Sequence, residues 1–367
     1  MELIFNIVSI FSVSFYSIYI YFFYRGLNKN HNNTSKCDAK VSVVIPARNE
    51  EKNILVLLNS LNSQNFDKNK FEVIVVDDFS TDNTFKIASD FCQTNSNFRI
   101  IQNESYDKKY SPKVMAQSKG VMNSKNEIIF MTDADCELNQ NWISSVLKQF
   151  DDNTAIVTGV TLFKNNKNNF FHTIQQLDYS SHNAICAGSL GNDLIVNANG
   201  TNLAIRKSAL EEVGGILKVS KYFSGEDSFL AQLFTNTKWK VKFTFDNDSI
   251  VKTNFVNNWS EYFNQRIRWS AQTLNYPLPI KIFLYNTAIL HFVLIFLILS
   301  SIIKFNLLLP IIFINKSLID FVFLKKYFKN INTKINFNYF ILSELFHLPT
   351  TIYIAFKAYF ISFKWKE

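Results

Sequence analysis

The chain has 367 residues, a formal charge of +8 and 47% hydrophobic residues, a length that allows about two domains with a full buried core. The basic surplus argues for no nucleic acid, because several of the basic residues flank long apolar runs, where anionic lipid is the simpler partner. Four scattered cysteines, Cys37, Cys92, Cys136 and Cys186, form no CxxC pair and fit a reduced cytoplasmic domain rather than a disulfide frame; His172 and His182 have no metal-ligand spacing.

Residues 3–24 contain no Asp, Glu, Lys or Arg, and a helix of that length, at about 1.5 Å per residue, exceeds the roughly 30 Å hydrocarbon core. A transmembrane anchor is expected at 1–25. It reads as retained rather than cleaved, since the Met1-Glu2 start is not basic and no small-residue cleavage site precedes Arg25. An Asn- and Lys-rich polar tether follows at 26–40.

From 41 to 257 short apolar runs alternate with amphipathic stretches, the pattern of parallel strands joined by helices in an α/β nucleotide-binding domain. Strands are predicted at 41–45, 72–76, 99–102 and 127–131, with helices starting near Glu50, Thr81 and Pro112. Ligands of open parallel sheets sit beyond the carboxyl ends of the strands. Pro46, Arg48 and Glu50 end the first strand, where amides and side chains can face a nucleotide. Asp77 and Asp78 end the second; they can accept the uracil N3–H or ribose hydroxyls, or serve in helix capping with Ser80 and Thr81. Lys113 is either a point charge for a phosphate or a solvated lysine at a helix start.

Asp133 and Asp135, one residue apart after an apolar strand, allow one carboxylate to reach ribose while the other meets a divalent cation bridging a diphosphate, since hard cations share oxygen ligands with phosphates. Glu226 and Asp227 lie between Gly225 and a helical run at 228–234. At a helix N-terminus the macrodipole favours their ionised form, which suits a general base; simple capping is the alternative. The stretch 258–281 reads as an interfacial amphipathic helix region. There Gln265, Arg268 and Trp269 share one helical face, offering donors for diphosphate oxygens and a flat ring for a sugar, or else an aromatic belt with snorkelling arginines.

The C-terminal region, 282–367, carries apolar runs at 282–303, 305–324 and 338–363, or about three spans. Arg25, Lys29, Lys36 and Lys40, then Lys325, Lys326, Lys329 and Lys334, place the flanking loops in the cytoplasm. Parity puts the chain end outside, yet Lys364 and Lys366 are basic, so the last run lies along the interface or folds back near Pro349. Within these runs Lys316 with Asp320, and Glu344 with His347, stand at helical spacing; a non-functional reading is favoured, in which they pair with each other, lie at the interface, or mark a segment that does not span.

These residues resemble the family-2 glycosyltransferases, with their GT-A fold (a Rossmann-like mixed sheet), and in particular the membrane branch of cellulose, hyaluronan and poly-N-acetylglucosamine synthases and ceramide glucosyltransferase. The resemblance covers 41 to about 270. It rests on Val43-Val44-Ile45-Pro46 with Asn49-Glu50, Asp77-Asp78-Phe79-Ser80-Thr81-Asp82, Lys113 with Ala116 and Gly120, Asp133-Ala134-Asp135, Gly200-Thr201-Asn202, Glu226-Asp227 and Gln265-x-x-Arg268-Trp269. It implies that Asp78 with Asp77 binds uridine, that Asp133 and Asp135 hold ribose and Mg²⁺ or Mn²⁺, and that Lys113, Gln265 and Arg268 serve the diphosphate. Pro46, Arg48 and Glu50 join the donor side; Gly200, Thr201, Glu226 and Trp269 the acceptor side; Asp227 is the base. The implied reaction is inverting transfer of a hexose from a UDP-sugar to a lipid or growing glycan acceptor at the cytoplasmic membrane, with the catalytic domain facing the cytoplasm. Phe79 replaces the usual glycine of the Asp-Asp-Gly-Ser pattern, Gly225 stands where the large synthases carry threonine, and the membrane part is modest for an extruding synthase. The rival class is a non-catalytic membrane scaffold with a degenerate nucleotide-binding domain, which would be expected to have lost an acidic member of the set.

Overall fold

A computed structural model describes residues 2–29, 38–103, 109–164, 169–304 and 306–360. Most of the tether, with Lys36 and Cys37, and the basic pair Lys364 and Lys366 lie outside the described residues. In chain order the elements are α1 (Glu2–Gly26), β1 (Val41–Ala47), α2 (Ile54–Asn62), β2 (Phe71–Asp77), α3 (Thr84–Thr94), β3 (Phe98–Gln102), α4 (Pro112–Asn123), β4 (Ile128–Met131), β5 (Glu137–Leu138), α5 (Trp142–Leu147), β6 (Thr154–Gly159), β7 (Thr161–Phe163), α6 (Phe170–Leu190), β8 (Leu203–Arg206), α7 (Lys207–Glu212), α8 (Glu226–Gln232), β9 (Lys240–Thr244), β10 (Val251–Thr253), α9 (Trp259–Ser270), α10 (Leu278–Ser301), α11 (Leu308–Asn330) and α12 (Phe337–Phe360). They form two units. One gathers Met1–Asn28, Asn166–Gly188 and Val256–Glu367; the other Lys29–Asn165 and Ser189–Phe255.

The second unit is built on a seven-stranded sheet of order β3-β2-β1-β4-β8-β6-β9. Its β1, β2, β3 and β4 are parallel neighbours, and β8 runs antiparallel between β4 and β6. Val43, Val44, Ile45, Val73, Ile74, Val75 and Val76 are all buried, the near-continuous apolar run of strands covered on both faces. Ile54, Leu57, Leu58 and Leu61 of α2, with Trp142 and Val146 of α5, pack on the face that carries Val43, Ile45, Val73 and Val75. Ala116 of α4 covers Ile74 and Val76 on the other. Register pairs Ala47 with Asp77 and Val44 with Met131, so Arg48, Asp77, Asp78 and Asp133 all emerge at carboxyl ends of adjacent strands. A small sheet, β5-β10-β7, sets Thr253 near the Asp133–Asp135 turn.

The α2 and α3 helices begin later than Glu50 and Thr81. Residues 50–53 close a turn first, with Asn53 N donating to Glu50 O at 2.9 Å, and Asp82 Oδ1 accepts from Thr84 N at 2.9 Å to start α3. Proline opens α4 at the expected place, where its missing N–H costs nothing.

In the other unit, Leu3–Gly26, Leu278–Ser301 and Phe337–Phe360 are long and apolar enough to cross a membrane. The α12 helix runs on through Pro349. Between α10 and α12, α11 covers 308–324 of the expected run and carries the ionisable pair. Lys316 Nζ stands 3.1 Å from Asp320 Oδ2 and 2.8 Å from Glu344 Oε2, and Tyr16 OH donates to Asp320 Oδ1 at 2.8 Å. Glu344 therefore pairs with Lys316 rather than with its helical neighbour His347, and the buried charges are matched to one another.

Candidate active site

The ends of β1 and β2 form the first part of the site. Asp77 and Asp78 are both buried. Asp78 Oδ1 accepts from Asn103 Nδ2 at 2.7 Å, and Arg48 Nη1 lies 3.8 Å from Asp78 Oδ2; burial nonetheless holds the Asp78 carboxyl above its ordinary range. Asp77 Oδ1 is buried with no hydrogen-bond partner among the described residues, an acceptor suited to an incoming N–H or O–H. The turn joining these residues is held by Asn49, whose Oδ1 accepts from Thr81 N at 2.8 Å. Asn49 and Phe79 both have φ of 56°. The left-handed backbone at Phe79 gives a physical reason for the glycine common at that position.

The second part centres on Lys113, in the first turn of α4. A cation there opposes the helix dipole, and carboxylates from two other elements offset it: Nζ lies 2.8 Å from Asp133 Oδ1 and 3.2 Å from Glu226 Oε1. Burial disfavours the Lys113 charge, but Asp133 and Glu226 outweigh it and keep the ammonium charged. Asp135 Oδ2 accepts from Thr253 Oγ1 at 3.0 Å, and Lys164 Nζ donates to the Asp135 carbonyl at 2.9 Å. Burial first, then Asp133, push the Asp135 carboxyl upward.

Asp227 sits in the first turn of α8, after Gly225 at φ 69°. Its Oδ1 accepts from Ser228 N at 2.8 Å and its Oδ2 from Gly200 N at 2.7 Å. Met131, Leu203, Ile216, Val219 and Leu230 line the hollow that holds Glu226 and Asp227. In that apolar setting burial, then the Glu226 charge, push the Asp227 carboxyl up to about 6. The helix terminus, expected to favour the ionised form, is outweighed, and the carboxyl is tuned close to neutrality.

Lys113 thus pairs with two of the four carboxylates, Asp133 and Glu226, while Asp135 also faces Lys164 and Asp227 is held by backbone amides. Among the described residues no group of three or more His, Cys, Asp or Glu is arranged to hold a metal unaided. The all-oxygen set of Asp133 and Asp135 fits a hard divalent cation that completes its shell with phosphate and water oxygens.

Gly200-Thr201-Asn202, part of the motif set, belongs to a polar network behind this turn whose other members, Thr132, Trp142, Thr161 and Asn199, carry no sequence signal. Asn199 Nδ2 donates to Thr161 Oγ1 at 2.8 Å, Thr201 Oγ1 donates to Asn199 Oδ1 at 2.8 Å, and Thr132 Oγ1 donates to the Thr201 carbonyl at 2.8 Å. Asn202 Oδ1 accepts from Trp142 Nε1 at 3.0 Å, and Asn202 Nδ2 donates to Val160 O and Ser249 O at 2.9 and 2.8 Å. These bonds fix Gly200 against Asp227. Thr201, expected on the acceptor side, turns its hydroxyl into this network.

Gln265, Arg268 and Trp269 belong to the other unit, on α9. Asn258 caps that helix, accepting from Glu261 N at 3.0 Å. Gln265 Oε1 accepts from Arg266 Nη1 at 2.8 Å, and the Trp269 ring stands 5.9 Å from Tyr179 and 5.4 Å from His182 of α6. Arg266, inside the motif but without an assigned role, is the buried member, ion-paired with Asp178.

Residues 42–214 match the model of the family described as Glycosyl transferase family 2, and the sheet described above is the mixed α/β sheet of a GT-A fold. Over 209 residues it is 29% identical to glycosyltransferase AglE of Haloferax volcanii, covering 56% of this chain and 64% of that protein. Over 118 residues it is 33% identical to the poly(ribitol-phosphate) beta-N-acetylglucosaminyltransferase TarS of Staphylococcus aureus, covering 32% of this chain and 20% of that one. The chain thus spans less than two thirds of the length of these curated relatives. Among solved structures, the mannosyltransferase PcManGT from Pyrobaculum calidifontis, in complex with GDP-Man and Mn²⁺, superposes with a TM-score of 0.64 at 16% identity, over 97% of this chain and 99% of that one. At that identity the likeness is one of fold.

Proposed function

We propose that the protein is a membrane-bound, inverting glycosyltransferase that moves a hexose from a nucleoside-diphosphate sugar, a UDP-sugar on the motif resemblance, to a lipid or growing glycan acceptor. The observation that carries this reading is the meeting of Asp133 and Glu226 at Lys113 Nζ, at 2.8 and 3.2 Å, with Asp135 two residues after Asp133 and Asp227 directly after Glu226. All the acidic members are present, which speaks against a degenerate scaffold.

Asp77 and Asp78 receive the nucleoside, with Pro46, Arg48 and Glu50 shaping the donor side. Asp133 and Asp135 would hold Mg²⁺ or Mn²⁺, which supplies charge neutralisation to the departing diphosphate. Lys113 adds a positive charge beside the same phosphates, and the resemblance assigns Gln265 and Arg268 to them as well. Asp227 takes the proton of the acceptor hydroxyl; the freed oxygen bonds to the anomeric carbon from the opposite side, and the bond from that carbon to the diphosphate oxygen breaks with its electrons. Two backbone N–H groups fix the Asp227 carboxylate and leave it lone pairs for that proton. Glu226, Gly200 and Thr201 set the acceptor side, and Trp269 offers it a stacking face. Basic residues beside the candidate spans favour a cytoplasmic-membrane location with the catalytic domain inside.

A donor screen tests this: purified full-length protein in detergent, membrane lipid, and each nucleotide sugar with Mg²⁺ or Mn²⁺. Nucleoside diphosphate release that requires one donor and is abolished by a chelator is expected. Absence of nucleoside diphosphate release with every donor tried would refute the proposal. Sizing the labelled product separates a single glycolipid from a ladder.

A further inference from the structure

We infer that Asp178 and Arg266 are positioning residues for Trp269, and that their ion pair between α6 and α9 holds the indole in the orientation that receives the acceptor. The inference rests on the acceptor role proposed above for Trp269. Arg266 is 5% exposed, and a buried guanidinium must be matched by charge and hydrogen bonds. Its Nε donates to Asp178 Oδ2, and the same oxygen accepts from Tyr262 OH at 3.1 Å. Nη1 is taken up by Gln265, while Nη2 is buried without a hydrogen-bond partner among the described residues.

What the guanidinium meets otherwise is aromatic. Its Cζ lies 4.3 Å from the Trp269 ring centroid and 4.8 Å from that of Tyr262, three residues after and four before it on the helix, where side chains share a face. A planar, weakly hydrated guanidinium stacks on such rings as an ammonium does not. From α6, His182 meets the Trp269 ring at 82° and Tyr179 tilts against it at 37°, and His182 Nε2 lies 3.9 Å from Asp178 Oδ1. The contacts that orient the indole therefore come from Arg266 and from the helical turn that begins with Asp178. Burial works to raise the Asp178 carboxyl, yet Arg266 holds it down to about 2, so the pair stays ionised at neutral pH.

The test uses the full-length protein in detergent, with 5-fluorotryptophan incorporated and the Trp269 ¹⁹F line assigned by W269F. The wild-type line should be narrow and displaced from the solvent-exposed position. In R266K and D178N it should move toward that position, while the lines of Trp142 and Trp239 stay put and report an intact fold. With labelled donor and total membrane lipid as the acceptor probe, the lipid concentration for half-maximal transfer should rise about tenfold in both variants, with the KM for donor unchanged. If D178N does not fold, R266K carries the test alone. An unmoved Trp269 line, or equal losses toward donor and lipid, would overturn the inference and leave the pair as a helix-to-helix clamp. A wild-type protein that moves no sugar removes the function and the acceptor role together, whereas the fluorine line alone decides the positioning.

Discussion

The Gly200 N–H donates to Asp227 Oδ2 at 2.7 Å, and a Cβ placed on Gly200 would stand 2.9 Å from that same oxygen. The glycine is the space that lets a backbone amide orient the proposed base. Gly200→Ala is expected to displace the carboxylate by a few tenths of an ångström and to lower kcat by about 10- to 100-fold, since small misplacements at a reacting group are costly. Titrating nucleotide binding alongside turnover checks it: affinity should hold while kcat falls.

The raised pKa of Asp227, about 6, has a direct kinetic sign. A base acts only when deprotonated, so kcat should climb with pH to about 6 and level above it. Glu226→Gln removes the neighbouring negative charge that helps raise this pKa, and the acid limb should move to lower pH. Lys113→Gln removes the opposing positive charge and should move it upward. Shifts on the order of one pH unit are expected. Because burial is the larger cause, Glu226→Gln should not restore an ordinary carboxylate profile.

Asp77 and Asp133 are legible in the sequence because each follows an apolar run, and such runs become parallel strands whose carboxyl ends face one side. Asp227 is marked differently, by Gly225 before it and the helical run after it. Arg266 could not be separated from Arg268 by spacing, since its partner Asp178 lies 88 residues away. Nor does local pattern tell that 169–188, within the stretch read as 41–257, groups with α1 and the C-terminal helices. The later starts of α2 and α3 come from side-chain capping by Asp82 and a turn at Glu50, a competition between turn and helix that propensity does not settle.

Backbone conformation makes opposite demands at two neighbours of the site. Phe79 is left-handed at φ 56° and 41% exposed, so Phe79→Gly relieves strain while losing little burial. Stabilisation of about 0.5–1 kcal/mol is expected. Gly225, at φ 69°, has the reverse problem: Gly225→Ala should cost about 1 kcal/mol and disturb Glu226 and Asp227. Thermal unfolding of the detergent-solubilised chain measures both.

Lys316 neutralises two buried carboxylates, Asp320 and Glu344, at 3.1 and 2.8 Å. Lys316→Met leaves both facing an apolar surround, and a loss of about 3–5 kcal/mol is expected. Monodispersity and unfolding temperature in detergent report it, and Asp320→Asn in the same background should recover part of the loss.

Asp227→Asn tests the central claim most directly, with donor binding and transfer measured on the same preparation in Mn²⁺. If Asp133, Asp135, Glu226 and Asp227 serve one cation and one activated sugar with Asp227 as base, donor affinity should stay within about threefold while transfer falls by roughly 10²–10⁴. Turnover that survives the substitution unchanged would contradict it.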